Sequence, residues 1–424
     1  MKRYKYLIIG NSAGGVGAME AIREIDKDGS MAVVSDEGHP VYGRPLISYY
    51  LADEIAFDKI FYRPSDFYEK KSIDAILGRK VVKINFHEHS VVLDDGDELG
   101  FEKLLLATGG EPFVPSMAGL EKYEVPNFIT LDDSLRIRER LDSENIEKAV
   151  VLGGGLIGLK AAEALIQRDV QVKVIELANR VLSPVLDEQA SGLIQSVLEE
   201  NRVEVITEHT ISEITGEGDK VNGIILDSGD RIDCDLLIVA IGVRPRVELA
   251  GDTQIQIGRG IVVDKQMRTS VPDIYACGDC AEVYDFIADS FRLTPLWPTA
   301  HVGGRVAGAN MTGLDKEYIW GTGMNAVDFF GFPVISAGLL NSPEGEELEI
   351  LTKLDLDEKV YKKFLIRDQR IVGMILVNQV DRAGVILGLM RDKVDVTPFK
   401  DDLLREDFGP IYLPIELRRE AEAV

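Results

Sequence analysis

The chain has 424 residues, of which 45% are hydrophobic and 28% charged, so it has the composition of an ordinary globular protein with two or three domains. Its formal net charge of −25 and its pI of about 4.7 argue against nucleic acid and anionic membranes as partners, because both require a basic face. Its apolar runs are shorter than the roughly 18 residues of a membrane span, and the start MKRYKYLIIG leads into a strand without a signal-peptide cleavage site. We therefore expect a cytoplasmic protein with no membrane span.

The first predicted elements form a nucleotide-binding unit. An apolar strand, Tyr4–Ile9, is followed by the glycine-rich turn GNSAGG, a helix to about Ile25, and a strand, Met31–Ser35, that ends before Asp36. This order of strand, glycine turn, helix, strand and acid is typical of dinucleotide binding. The acid expected to bind the ribose is Asp36, and Glu37 is the alternative. The residues expected to contact the dinucleotide are Gly10, Ser12, Ala13, Gly14, Gly15, Asp36 and Glu37.

The turn of this first unit departs from the usual pattern at one position. Gly10 permits the tight bend, and Gly15 lets the helix pack closely on the strand. Ser12 stands where a glycine usually lets the backbone approach a pyrophosphate. The amides that follow Ser12 can still face a pyrophosphate at the positive end of the helix, so we expect the site to work.

The same unit recurs further along the chain. A strand over Ala149–Leu152 leads into the turn GGGLIG, a helix over Leu156–Gln167 and a strand over Val172–Ile175 that ends before Glu176. This turn keeps all three glycines, and the expected NAD contacts are Gly153, Gly155, Leu156, Ile157, Gly158 and Glu176. One such motif is weak evidence, but two in sequence predict two dinucleotide sites.

Glu176 bears on the choice of nicotinamide dinucleotide. A carboxylate at this place accepts hydrogen bonds from both ribose hydroxyls and repels a 2′-phosphate, which favours NADH over NADPH. Arg180 lies close enough downstream to weaken that preference, although it could also be a simple surface charge. We predict a preference for NADH.

The last part of the chain has a different pattern. After about Trp320 it contains predicted strands at Val334–Gly338, Lys359–Ile366 and Arg370–Asn378. The end, LLREDFGPIYLPIELRREAEAV, is polar and is expected to be partly helical. We predict a separate, mostly sheet-forming domain over residues 325–424.

The chain contains three cysteines, Cys234, Cys277 and Cys280. Three are too few for a disulfide scaffold or for a cysteine-ligated iron–sulfur cluster in this chain. Cys277 and Cys280 form a CxxC that could be a redox pair or half of a metal site, but a second CxxC is missing. We interpret both as small buried hydrophobic residues and predict that the chain holds no metal.

Further motifs give the sequence a specific resemblance. They are LLLATGGEP, LLIVAIGVRP, TSVPDIYACGDCAE and LWPTAHVGGRVAGANMTG, and with the two turns they cover roughly residues 1–320. In type and order they resemble the two-dinucleotide flavoprotein reductases of the pyridine nucleotide–disulfide oxidoreductase superfamily. The resemblance implies an α/β fold with two Rossmann-like domains of the glutathione-reductase type and a C-terminal α+β interface domain. The implied FAD-binding domain spans 1–113 and 245–324, the NAD(H)-binding domain 114–244, and the interface domain 325–424.

The resemblance also implies further FAD-binding residues. Asp279 should bind the ribityl chain, and the helix that begins near Thr299 should direct its positive end at the N1–C2 edge of the flavin. The further FAD contacts implied are Arg44, Pro45, Thr108, Gly109, Gly278, Asp279, Trp297, Pro298, Thr299 and Ala300. Gly242 is added to the NAD contacts.

One absence and two substitutions place the chain within the superfamily. Disulfide reductases need a reactive thiol beside the flavin soon after the first unit, and this chain has no cysteine before Cys234. The segment YGRPLISYYL, with Arg44 and Pro45, resembles the ferredoxin- and rubredoxin-reductase branch. Tyr49 and Lys160 stand where that branch usually carries a lysine and a glutamate. We expect the ammonium of Lys160 near flavin N5, as a catalytic group, and the alternative is that it extends into solvent.

These features together predict an FAD-dependent NAD(H) oxidoreductase without an active-site cysteine. Its expected redox partner is an iron–sulfur, ferredoxin-like protein or subunit in a larger oxidoreductase complex, since flavin exchanges a hydride with NAD(H) and releases electrons singly. The segments GNSAGG and YGRPLISYYL and the lysine at 160 resemble the FAD subunits that link NAD to ferredoxin-like subunits, as in phenylglyoxylate dehydrogenase, tungsten aldehyde oxidoreductase and carbon monoxide dehydrogenase assemblies. Two alternatives stay open: a free-standing NADH:ferredoxin or NADH:rubredoxin reductase, and an NADH-sensing flavoprotein with incidental turnover. A C-terminal interface domain of this type is also compatible with a homodimer.

Overall fold

The computed structural model describes residues 1–251, 253–343 and 345–415. The chain forms two compact units, of which the first comprises Met1–Phe113, Ile129–Ser134 and Val243–Thr322. The second comprises Val114–Phe128, Leu135–Gly242 and Gly323–Val424. This division into two units does not decide whether the chain has the three predicted domains, which stay a prediction.

The α-helices are α1 (Ala13–Ile25), α2 (Ile47–Leu51), α3 (Phe67–Lys70), α4 (Leu131–Ser143), α5 (Leu156–Gln167), α6 (Glu188–Glu200), α7 (Glu248–Gly251), α8 (Trp297–Met311) and α9 (Ala383–Arg391). Short 3₁₀ turns lie at Arg44–Leu46, Phe57–Lys59, Leu120–Lys122, Gly278–Cys280, Thr397–Asp402 and Pro410–Tyr412. In the part of the chain that the structure describes, no helix combines the length and the apolar character that crossing a membrane requires.

The strands are β1 (Lys2–Ile9), β2 (Met31–Ser35), β3 (Ile73–Leu77), β4 (Val81–Asn85), β5 (Ser90–Leu93), β6 (Glu98–Leu106), β7 (Gly110–Pro112), β8 (Lys148–Leu152), β9 (Gln171–Glu176), β10 (Val203–Thr207), β11 (Ile211–Glu217), β12 (Lys220–Leu226), β13 (Arg231–Ile232), β14 (Leu236–Val239), β15 (Val243–Pro245), β16 (Ile261–Val262), β17 (Ile274–Ala276), β18 (Ala281–Asp285), β19 (Ser290–Leu293), β20 (Met324–Phe329), β21 (Phe332–Gly338), β22 (Glu349–Asp355), β23 (Val360–Arg367) and β24 (Arg370–Val377).

The first unit is built on a sheet with the strand order β3-β2-β1-β6-β5-β4, in which β17 also pairs with β6. Strands β3, β2, β1, β6 and β17 run parallel to one another, whereas β5 pairs with β6 in the antiparallel sense. Ile9, the last residue of β1, pairs with Val34 and Leu106. The carboxyl ends of these strands therefore meet at one edge of the sheet, which is where ligands bind in open α/β folds.

Two helices of the first unit approach each other almost to backbone contact. A Cβ atom on Gly304 of α8 would lie only 1.9 Å from the carbonyl oxygen of Gly14 in α1, so any side chain there would force the helices apart. Further along, a Cβ atom on Gly308 would lie 2.5 Å from the carbonyl oxygen of Ala18. Gly304 thus faces Gly14, and Gly308 faces Ala18 one turn later, so the two helices run parallel. Their amino ends lie at the same end of the pair.

The second unit contains a parallel sheet with the order β10-β9-β8-β14 and a small antiparallel sheet, β11-β12-β13. Its C-terminal part is an antiparallel sheet with the order β20-β21-β24-β23-β22, on which α9 packs. The three strands predicted here correspond to β21, β23 and β24 within two residues at each end. The predicted helical character of the chain end appears as one 3₁₀ turn at Pro410–Tyr412, and residues 416–424 lie outside the described residues.

Candidate active site

The first glycine turn follows β1 and leads into α1. Gly10 has φ +114°, and a Cβ atom there would lie 2.0 Å from the carbonyl oxygen of Ala107, so only glycine fits. The first hydrogen bond of α1 runs from the amide of Val16 to the carbonyl of Ser12, over 2.9 Å. The amides of residues 13–15 therefore have no acceptor within their own helix, and they point towards the helix start. This donor set fits a pyrophosphate.

The two acids at the end of β2 have different surroundings. Glu37 accepts hydrogen bonds from the hydroxyl of Tyr42 and from the guanidinium of Arg44, each over 2.5 Å. Asp36 is 39% exposed and forms an ion pair with Arg246 over 2.9 Å. Asp36 is therefore the more accessible acid for a ribose, while Glu37 is held by side chains. Both stay candidates.

Tyr42 joins this cluster and was not found by sequence reasoning. Its hydroxyl donates to Glu37 and accepts from the amide of Leu131, the first residue of α4, over 3.0 Å. Burial raises the pKa of Tyr42, so its hydroxyl stays protonated and can donate. An aromatic residue near the arginine–proline pair was the available signal, but the sequence does not show that it turns towards Glu37.

Arg44 and Asp279 come from distant parts of the chain and interact electrostatically. Arg44 also donates to the carbonyl oxygen of Ile129 over 2.9 Å, and Pro45 follows it in the same 3₁₀ turn. Burial raises the pKa of Asp279, which lies in the turn Gly278–Cys280, and the charge of Arg44 opposes that rise. The carboxyl group of Asp279 forms no hydrogen bond with another residue in the described part of the chain. A buried carboxylate that accepts no hydrogen bond from the protein can accept one from the hydroxyls of a ribityl chain.

Several of the other residues expected around the flavin form hydrogen bonds with the backbone of neighbouring segments. The hydroxyl of Thr108 donates to the carbonyl of Arg246 over 2.8 Å, and the carbonyl of Gly109 accepts from the amide of Arg246 over 3.0 Å. Helix α8 begins at Trp297, two residues before the predicted start, with Pro298 in its first turn. The amide of the buried Ala300 forms the first hydrogen bond of this helix, to Leu296.

Two side chains shape the start of α8. The hydroxyl of Thr299 lies 2.8 Å from the carbonyl oxygen of Leu296, to which it donates. The ring of Trp297 contacts Tyr62 edge to face, with 5.4 Å between ring centres. The helix start therefore combines free amides, which suit an anionic edge of a ligand, with a flat aromatic surface beside it.

The CxxC residues are both fully buried, and burial raises the pKa of each thiol. Cys277 packs so closely on α1 that a Cβ atom on Gly14 would lie 2.9 Å from its sulfur. Cys234 is buried too, and burial raises its pKa to about 12. Within residues 1–251, 253–343 and 345–415, no three histidine, cysteine or acidic side chains come together as a metal site would require.

The second glycine turn follows β8 and repeats the first. Gly153 has φ +118°, and a Cβ atom there would lie 2.4 Å from the carbonyl oxygen of Ala240. The first hydrogen bond of α5 joins the amide of Leu159 to Gly155, which leaves the amides of Leu156, Ile157 and Gly158 without acceptors in their helix. A Cβ atom on Gly155 would meet no atom of the described chain within 4 Å. This open cradle fits the close approach of a pyrophosphate.

Glu176 is fixed beside this turn. One carboxylate oxygen accepts from the amide of Gly154 over 2.6 Å, and the other accepts from the amide of Ala178 over 2.7 Å. Each oxygen can accept a further hydrogen bond, so the group fits ribose hydroxyls. Arg180 bonds Asn179 over 3.0 Å, but its buried Nε atom has no hydrogen-bond partner in the described chain. Gly242, with φ +112°, follows β14 at the carboxyl edge of the same sheet.

Lys160 forms a buried ion pair that sequence reasoning missed. Its ammonium lies 2.5 Å from a carboxylate oxygen of Glu163 and 3.3 Å from the carbonyl oxygen of Asp328, and its side chain is 16% exposed. The other oxygen of Glu163 accepts from the amide of Phe330 over 2.6 Å. Burial raises the pKa of Glu163, and the charge of Lys160 opposes the rise. The spacing of three residues on a helix was the available signal.

Comparison with known proteins adds to this geometry. Residues 4–304 match the family model of the pyridine nucleotide-disulphide oxidoreductases, and residues 324–394 match the rubredoxin NAD⁺ reductase C-terminal domain. The chain is 30% identical over 401 residues to the epsilon subunit of NADH-dependent phenylglyoxylate dehydrogenase from Aromatoleum evansii, covering 93% of each chain. It is 34% identical over 394 residues to a rubredoxin-NAD⁺ reductase from Ectopseudomonas oleovorans, covering 91% of this chain and 98% of the relative.

Some relatives are much longer. The chain is 30% identical to the nitrite reductase of Bacillus subtilis over 94% of its own length, but it spans only 48% of that protein. Among solved structures, a ferredoxin reductase from Rhodopseudomonas palustris superposes with a TM-score of 0.81 at 27% identity, covering 88% of this chain and 91% of the other.

These matches confirm the predicted α/β fold with two dinucleotide-binding regions and a C-terminal domain. They also confirm the predicted enzyme class, an NAD(H)-dependent flavoprotein oxidoreductase, in a family that uses FAD and NAD(H). Among the relatives that cover more than nine-tenths of the chain are reductases of rubredoxin and putidaredoxin and a dehydrogenase subunit. The chain therefore belongs to the pyridine nucleotide-disulphide oxidoreductase family, in its ferredoxin-reductase-like branch.

Proposed function

We propose that this chain binds one FAD and transfers electrons between NAD(H) and a separate iron–sulfur protein or subunit, without a thiol step. The observation that carries the proposal is the state of its cysteines. All three are buried free thiols with raised pKa values, so none is suited to act as the thiolate that disulfide reductases need. We therefore infer that a flavin bound here exchanges electrons with NAD(H) and with a redox centre outside this chain, and not with a thiol of its own.

The residues of the first unit fit FAD. Its pyrophosphate would accept from the amides of residues 13–15, Asp36 would hold the ribose, and Asp279 would accept from the ribityl hydroxyls. The amino end of α8 would stabilise negative charge at the adjacent flavin edge. When bound, FAD supplies the conversion between two-electron and one-electron transfer.

The residues of the second unit fit NADH. The free amides of Leu156, Ile157 and Gly158 suit its pyrophosphate, and the open space at Gly155 lets the backbone approach it. Glu176, held by two backbone amides, presents acceptors to the ribose and repels a 2′-phosphate. We therefore propose a preference for NADH over NADPH.

Lys160 is proposed as a positive charge close to flavin N5. The structure offers a second role that the sequence did not suggest, since its ammonium binds Glu163 and the carbonyl of Asp328. In that role Lys160 stabilises the hairpin between β20 and β21 against α5. The two roles predict different results for the same variants.

The proposed partner follows from the named relatives and from the missing thiol. Rubredoxin-NAD⁺ reductase and a dehydrogenase subunit both resemble this chain over more than nine-tenths of its length. We favour a subunit role in a larger oxidoreductase, with a free-standing reductase as the second candidate because of the rubredoxin-reductase relatives. A cytoplasmic location belongs to the proposal and is supported by cysteines that are free thiols.

The test is anaerobic electron transfer by the purified chain. We expect one FAD per chain, rapid flavin reduction by NADH, and reoxidation by a ferredoxin or a rubredoxin, with ferricyanide as the artificial acceptor. Copurification of an iron–sulfur subunit from the native source would favour the complex over the free-standing enzyme. A reduced flavin that no carrier reoxidises would mean an NADH sensor. Stoichiometric iron or zinc in the isolated chain would contradict the proposal.

A further inference from the structure

Two adjacent lysines of β23 are both buried, but their ammonium groups have different partners. Lys363 is 6% exposed and binds a carboxylate oxygen of Asp187 over 2.9 Å and the carbonyl of Leu340 over 2.8 Å. Lys362 is 5% exposed and donates to the carbonyl of Arg405 over 3.0 Å. In the described chain it forms no ion pair. A buried ammonium without a carboxylate is costly, so the surroundings of Lys362 need an explanation.

Lys362 borders a cavity in the C-terminal part of the second unit. The floor is the face of β23 and β24 that carries Lys362, and the walls are α9 and residues 403–408. Apolar side chains form much of the lining, among them Phe364, Leu376 and Phe408. The cavity has a volume of about 60 Å³. At ~10–15 Å³ for each water-sized sphere, this is room for about four to six non-hydrogen atoms.

Two further polar groups of the lining have no partner inside the described chain. The side-chain oxygen of Gln379 is buried and lacks a hydrogen bond. The guanidinium of Arg382, at the exposed rim, forms no ion pair or hydrogen bond with another described residue. Arg382 is also the N-cap of α9, so the positive end of that helix lies at the same rim.

The charge of the lining points to an anion. Three lining residues are basic (Lys362, Arg382 and Arg405) and two are acidic (Asp381 and Glu406), in a chain whose net charge is −25. Arg405 already pairs with Asp407, so Lys362 and Arg382 are the basic groups that a ligand would meet. Burial lowers the pKa of Lys362 and the neighbouring charge of Lys353 adds to this, while the charges of Glu406 and Asp407 oppose it. An anion bound to the ammonium would relieve both effects. The apolar floor favours an anion that has an alkyl group over an inorganic one.

We propose that this cavity is a binding site for a short-chain carboxylate of the size of acetate or propionate. The carboxylate binds the ammonium of Lys362 and the guanidinium of Arg382, as in other charge-assisted pairs. The alkyl group packs against Phe364 and Phe408. When the side-chain amide of Gln379 is flipped by 180°, its NH₂ group donates to the same carboxylate.

The test is a titration of the FAD-loaded protein with sodium propionate and sodium acetate, followed by ligand-observed NMR at constant ionic strength. We expect saturable binding with a dissociation constant of about 1 mM. Lys362→Met should weaken binding by about tenfold or more, the scale of one lost charge-assisted contact. Lys353→Met is the matched control, because Lys353 pairs with Lys362 across β22 and β23 but does not line the cavity. It should change binding by less than about twofold.

A second variant keeps the test valid if Lys362→Met disturbs the folding of the sheet. Arg382→Gln changes an exposed rim residue, so it should fold normally and weaken propionate binding by about threefold or more. Methylammonium chloride serves as a cationic probe of similar size and should not bind. Absence of saturable carboxylate binding, equal binding in the parent and both cavity variants, or preferential binding of methylammonium would each overturn the proposal. Flavin content should be the same in all variants, which separates this result from the proposed redox function.

Discussion

The two glycine turns have the same place in their sheets, and they differ at the position that faces the expected ligand. Gly10 and Gly153 are both required by the protein itself, since a side chain at either would meet a carbonyl oxygen of a neighbouring strand end. The position two residues later is Ser12 in the first turn and Gly155 in the second. Gly155 has no packing reason to be glycine within the described chain. In this repeat, some glycines are therefore structural, and one is best explained by a ligand.

The helices that follow the turns differ in what they support. Gly17 of α1 and Lys160 of α5 both stand two residues after the last glycine of their turns. A Cβ atom on Gly17 would lie 2.3 Å from the carbonyl oxygen of His301, so this position packs against α8. Lys160 instead pairs with Glu163 and the hairpin of the C-terminal sheet. The same position thus serves helix packing in one unit and an ion pair in the other.

The largest expected effect tests the structural glycines. Gly10→Ala places a methyl group 2.0 Å from the carbonyl oxygen of Ala107 at φ +114°, so it should destabilise the first unit by more than ~3 kcal/mol and remove FAD. The ratio of flavin to protein absorbance and a thermal unfolding scan measure this. Gly155→Ala is the control, which should keep both FAD and stability while weakening NADH binding. Loss of FAD in Gly155→Ala, or normal FAD content in Gly10→Ala, would contradict the comparison.

The next effect concerns the acid of the second unit. Glu176→Ala should weaken NADH binding by roughly 1–2 kcal/mol, the scale of lost hydrogen bonds to a charged group, and leave FAD in place. Rapid-reaction measurements of flavin reduction at varied NADH concentration give the binding constant. Arg180→Ala is the companion variant and should reduce any binding of NADPH. The assignment fails if the parent protein binds NADPH more tightly than NADH.

The smallest expected effect separates the two roles of Lys160. If its ammonium lies near flavin N5, Lys160→Met should lower the two-electron potential and slow hydride transfer without emptying the FAD site, and Lys160→Glu should do worse. If it acts only through the hairpin, both Lys160→Met and Glu163→Gln should lower the unfolding temperature and leave the potential unchanged. A spectroelectrochemical titration of all four proteins at low salt, with thermal scans, decides between these outcomes.

The sequence predicted the elements whose determinants are local. Both glycine turns, the strands around them and the strands β21, β23 and β24 follow from short apolar runs and turn residues, and they lie where the structure places them within two residues or so. The partners of Glu37 and of Lys160 could not be predicted. Tyr42 lies only five residues from Glu37, but its hydroxyl also accepts a hydrogen bond from the amide of Leu131, 89 residues away along the chain. Asp328 is 168 residues from Lys160, so their contact depends on the folded arrangement of the second unit.

The close packing of α1 and α8 has a consequence for the order of assembly during synthesis. Strand β17 and helix α8, which complete the first unit, come from residues 274–311, after the chain has made all four strands of the second unit's parallel sheet. A ribosome-bound chain of about 240 residues therefore has its first glycine turn without the helix that packs on Gly14 and without Asp279. The second nucleotide-binding sheet can fold before the first is complete. An FAD site that uses Asp279 and the start of α8 is therefore complete only after these later residues have been made.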